Sequence, residues 1–70
     1  MKAQDFLAWM DATGNSTAIA VCDTLGIARE TGRKMVAEAK AGRDVPVKRT
    51  VALAMTAAAN DLRPWDEYKR

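Results

Sequence analysis

Seventy residues with a net charge of +2 make one domain, too short for two hydrophobic cores and close to the size at which a single core barely offsets chain entropy. The 49% hydrophobic content is dominated by alanine, with few aromatic or β-branched runs, so an all-α fold is expected. One cysteine, Cys22, excludes an internal disulfide; with no run of roughly 18 apolar residues and no signal-peptide pattern, the expectation is a soluble, cytoplasmic protein without a membrane role.

In chain order, a first helix is expected over about Ala3 to Ala12, because Phe6, Leu7, Trp9, Met10 and Thr13 recur at the three-to-four spacing of a buried stripe. Gly14-Asn15 ends it. Ser16 or Thr17 is placed to cap a second helix that carries Ile19, Cys22 and Leu25 inward, and Gly26 then turns the chain. A third helix should span about Ala28 to Ala41. At about 100° per residue, Ala28, Gly32, Met35, Val36 and Ala39 share one side, whereas Glu30, Arg33, Lys34 and Ala37 gather on the other. Gly42 closes this helix, and the fourth is expected to start with Asp44 as its cap and Pro46 in its first turn. It should run to Asn60 or Leu62 with Val47, Val51, Ala54, Met55, Ala58 and Leu62 as its core stripe. Leu53 and Ala57 lie nearly opposite that stripe. A helix apolar on two sides has two neighbours, so the second is read as a partner subunit, with Leu62 and Trp65 extending the same interface. Arg63-Pro64-Trp65 stops the helix, which leaves residues 1 to 65 as the domain and 66 to 70 as a charged, frayed tail.

Charge is unevenly distributed. Residues 1 to 28 hold Lys2 against Asp5, Asp11 and Asp23, net −2; residues 29 to 49 hold seven Lys/Arg against Glu30, Glu38 and Asp44, net +4; residues 50 to 70 balance at zero. A basic block on one helix and the loop after it is the footprint of a phosphate-facing surface.

From Ser16 to Trp65 the order of features is a Ser/Thr cap, an Ala-rich helix, Leu25-Gly26-Ile27, a basic helix, Ala41-Gly42, Pro46, Val51-Ala52-Leu53-Ala54 and Leu62-Arg63-Pro64-Trp65. This order resembles the small Cro/repressor-type helix-turn-helix regulators of phages and plasmids, including the anti-CRISPR-associated regulators within that group. The resemblance implies a compact four- to five-helix, lambda-repressor-like domain that binds double-stranded operator DNA as a homodimer and represses transcription. Three positions depart from the family pattern. Ala18 stands where glutamine is usual, removing one phosphate contact; Ala28 replaces the Ser/Thr cap of the recognition helix; Gly32 replaces a larger residue, at about 1 kcal/mol relative to alanine, unless it marks close helix packing.

Within that frame Arg29, Glu30, Thr31, Arg33 and Lys34 are the candidates for base reading, since residues near the start of the second helix of this motif reach base edges. Arginine suits guanine, glutamate accepts from cytosine and threonine meets a thymine methyl. Outside the frame the same residues would be a solvated face with a Glu30–Lys34 pair at i,i+4. Lys40, Arg43, Lys48 and Arg49 around the loop are candidate phosphate anchors or ordinary surface charges, and Ser16 and Thr17 at a helix N-terminus suit a phosphate as well as a cap. Cys22 is read as a small packing residue.

Histidine is absent, and there is no Gly-rich phosphate loop and no cluster of carboxylates at a useful spacing, so no catalytic residue, metal, cofactor or small-molecule ligand is expected. The rival reading is a phage protein-interaction module, an anti-repressor or inhibitor, on the same scaffold.

Overall fold

The computed structural model describes residues 1–67, and over that range the chain is all-helical: α1 (Ala3–Thr13), α2 (Ala18–Leu25), α3 (Arg29–Lys40), α4 (Arg49–Ala59) and a 3-10 turn, Trp65–Glu67. None of the described helices is long and apolar enough to cross a membrane. All four α-helices end in the same way. The amides of Asn15, Ile27, Arg43 and Leu62 reach back to the carbonyls of Met10, Cys22, Glu38 and Ala57 at 2.9, 3.2, 3.0 and 2.8 Å. This is the closing bond of a Schellman turn, which needs one residue in the left-handed region. Glycine fills that place after α2, as Gly26 with φ 68°, whereas α4 uses Asp61 with φ 57°. A side chain in that region costs on the order of 1 kcal/mol, so the stop after α4 is the most strained of the four.

The buried set is Phe6, Trp9 and Met10 from α1, Val21 and Cys22 from α2, Met35, Val36 and Ala39 from α3, Val45 from the α3–α4 loop, and Met55 from α4. The Trp9 indole donates from Nε1 to the Met55 carbonyl at 2.8 Å in this interior, fastening α1 to the middle of α4. Its ring lies 6.0 Å from that of Phe6 in a tilted arrangement. A polar link centred on buried Asn15 joins α1 to α2: Thr24 donates to the Asn15 amide oxygen at 2.9 Å, Asn15 Nδ2 donates to Thr13 Oγ1 at 2.8 Å, and Thr13 donates to the Trp9 carbonyl at 2.7 Å.

Several sequence expectations are corrected. In α2 the inward residues are Val21 and Cys22, and Ile19 is exposed; an eight-residue helix with three apolar neighbours has too weak a stripe to fix its phase. Helix α4 begins at Arg49 after Lys48, so neither Asp44 caps it nor does Pro46 lie in its first turn. The reason is Val45. Its side chain is buried, and its amide and carbonyl pair with the backbone carbonyl and nitrogen of Met1 at 2.7 and 2.9 Å, which holds the segment extended past the proline. Leu62 leaves the α4 stripe and is exposed, because the left-handed Asp61 ends the helix first. Of the tail expected to be frayed, Asp66 and Glu67 form the 3-10 turn, closed by Glu67 N–H on the Pro64 carbonyl at 2.9 Å; residues 68–70 lie outside the described residues.

Candidate nucleic-acid interface

Helix α3 meets α2 at Gly32 and buries Met35, Val36 and Ala39 on the same side. A Cβ placed on Gly32 would overlap Cys22 Sγ, whereas the Ala18 carbonyl would stand at an ordinary contact distance of 3.6 Å, so it is the Cys22 side chain that fills the space a side chain at position 32 would need. Cys22 Sγ itself sits 3.6 and 3.8 Å from the carbonyls of Ala28 and Arg29, at the start of α3. Of the departures noted in sequence, Gly32 thus has a packing reason: the Cys22 side chain occupies the space beside it. Ala28, in turn, begins α3 without a side-chain cap.

Around the rest of the helix Arg29, Glu30, Thr31, Arg33 and Lys34 are all exposed. Their arrangement is finer than the sequence division into two sides suggested. Arg29, Arg33 and Lys40 fall on one ridge about 16 Å long, while Glu30, Lys34 and Glu38 follow a neighbouring strip of mixed sign. Among the described residues the Glu30–Lys34 pair does not close. The ion pair formed instead is Glu38–Arg43, with Arg43 Nε donating to Oε2 at 2.8 Å and Nη2 to Oε1 at 3.1 Å. Hydrogen bonding to Arg43, and then its charge, hold the Glu38 carboxyl below its ordinary range, and the same contacts raise Arg43.

The expected phosphate anchors separate into distinct settings. Thr17 caps α2, its hydroxyl accepting from Ala20 N–H at 3.1 Å, and Ser16 is exposed beside it. Arg43 and Lys48 flank buried Val45, and Lys48 and Arg49 lead into α4. Lys40 lines a shallow cleft of about 510 Å³ together with Lys2, Gln4, Leu7, Ala39 and Asp44. Lys2 entered the sequence reading only as one charge of an acidic segment; folding brings it to the end of the basic ridge. Nothing in local spacing signals that, since the two lysines are 38 positions apart.

On another side of the molecule Leu53 and Leu62, 59% and 54% exposed, border a groove of about 620 Å³ with Ala57, Leu25, Pro64 and Trp65. No group of three His, Cys, Asp or Glu side chains able to hold a metal ion occurs among the described residues. Compared with protein-family models, characterised proteins and solved structures, the chain has no match, so a functional reading rests on this geometry.

Proposed function

We propose that the protein is a sequence-specific double-stranded DNA-binding regulator, with α2 and α3 acting as a helix-turn-helix and α3 entering the major groove. The observation that carries the reading is the exposed face of α3. Its five candidate base-reading side chains are all exposed, on a helix that is packed through Gly32, Met35, Val36 and Ala39. Three of the cations of that helix share one ridge, and Lys2 lines the cleft at its Lys40 end. Such a ridge matches phosphate charge, while Arg29 and Arg33 near its N-terminal end are placed for base edges.

The functional unit is a homodimer on a pseudo-palindromic operator, with the two α3 helices about one DNA turn, roughly 34 Å, apart. Support comes from Leu53 and Leu62, two large apolar side chains exposed along one groove in a domain small enough to gain from association. Repression follows from occlusion of a promoter. The same groove favours a second reading, in which the scaffold meets another protein and α3 is only a solvated face.

Titrating wild type, Arg29→Ala and Arg33→Ala against DNA upstream of the protein's own gene separates the two. Each variant should weaken specific binding by about 1–3 kcal/mol and relax preference at one base per half-site. Wild-type affinity should fall by roughly a thousandfold between about 50 and 200 mM salt, since two subunits would displace on the order of 6–10 counterions. Variants that bind like wild type would remove α3 as the reading element, and a nearly flat salt dependence would point to a protein partner.

A further inference from the structure

We propose that Glu38 is an internal competitor for phosphate: its carboxylate occupies the guanidinium fork of Arg43 and keeps that arginine from general backbone binding. The proposal rests on the DNA-binding reading above. In the turn that ends α3 the third-last helical residue and the third residue beyond the helix are brought together, and they are Glu38 and Arg43, whose backbones are joined at 3.0 Å. Apolar side chains commonly meet at these two places. Here they are opposite charges, and they meet as two parallel N–H···O bonds of 2.8 and 3.1 Å. A phosphate oxygen pair would use the same geometry.

Exposure puts the contact where DNA can test it. The Arg43 side chain is 65% exposed and that of Glu38 25%, so a phosphate can approach the arginine while the carboxylate stays held against the helix end. The counterions released on binding are those condensed on the DNA, and an arginine whose charge is already met by Glu38 displaces few of them until the pair opens. Opening also leaves the Glu38 charge beside the incoming phosphate. Removing that carboxylate should therefore strengthen binding to DNA of any sequence, and the gain should pass through Arg43.

The test is a set of titrations with a random-sequence duplex at about 50 to 200 mM salt, using wild type, Glu38→Gln, Arg43→Ala, the double variant and Asp44→Asn. Asp44 lies next to Arg43 and its substitution makes the same charge change without touching the fork. Glu38→Gln should bind up to about fivefold tighter per subunit and steepen the salt slope by about 0.9 per subunit. Asp44→Asn should gain less, and in the Arg43→Ala background the Glu38→Gln gain should shrink to the Asp44→Asn level. A Glu38→Gln gain no larger than that of Asp44→Asn, or one that persists without Arg43, overturns the proposal. Weaker binding by Glu38→Gln also overturns it and makes Glu38 a positioning residue for Arg43. If neither wild type nor Glu38→Gln binds any duplex at low salt, the DNA-binding reading itself falls; wild-type binding unchanged by Glu38→Gln removes only the present proposal.

Discussion

Adding one methyl group, by Gly32→Ala, sets two known effects against each other. Alanine is the better helix former by about 0.8–1.0 kcal/mol, so in an open helix the change would stabilise. At this crossing the new Cβ overlaps Cys22 Sγ, and forcing an extra carbon into a packed interior costs about 1–3 kcal/mol. The overlap wins by a net of about 1 kcal/mol, which for a domain of this size lowers Tm by about 4–8 °C. Thermal and urea denaturation followed by circular dichroism measure it directly. Cys22→Ala removes the sulfur, so the double variant should recover at least the lost 1 kcal/mol or so and approach or exceed wild type. A Gly32→Ala protein as stable as wild type, or a double variant no better than Gly32→Ala alone, would refute the close-contact account.

Two further outcomes follow from surface features. Leu53→Glu puts a charge in the α4 groove at a position already 59% exposed, so circular dichroism should be unchanged while sedimentation gives a monomer and operator binding is lost; a variant that stays dimeric moves the interface away from α4. The Glu38–Arg43 pair predicts a pH dependence, because a carboxyl held below its ordinary value of 4.5 stabilises the fold above that pH and loses the effect as pH falls through the lower folded value. The Tm advantage of wild type over Glu38→Gln should thus be constant near neutrality and narrow below pH 4.5; an advantage that persists unchanged into strong acid would dissociate the pair from stability.

Helical periodicity exposed most of the architecture before any coordinates. Phe6, Met10, Met35, Val36, Ala39 and Met55 are buried where their spacing puts them, and the helix bounds shift by little in α1 to α3. What escaped depends on contacts distant in sequence. Val45 is buried through a backbone pairing with Met1, which no local pattern encodes, and that pairing delays α4 past Pro46. Leu62 kept the period of the α4 stripe, yet one residue with φ 57° took it off the helix. Asn15 looked like a simple stop signal and is a buried partner of Thr13 and Thr24. At the candidate site the exposed face of α3 was legible from its charges. The pairing of Arg43 with Glu38 across a turn and the arrival of Lys2 beside Lys40 both needed the folded chain.

The two tryptophans occupy opposite environments, and this gives the molecule a pair of optical reporters without any label. Trp9, 8% exposed and hydrogen-bonded to the Met55 carbonyl, senses whether α1 is docked on α4. Trp65, 74% exposed at the rim of the α4 groove, meets solvent quenchers directly. Unfolding should red-shift emission chiefly through Trp9, whereas occupation of the groove should shield Trp65 from iodide and leave Trp9 unaltered. With Trp65→Phe and Trp9→Phe as spectral references, one fluorescence experiment can then follow the core and the groove as separate events.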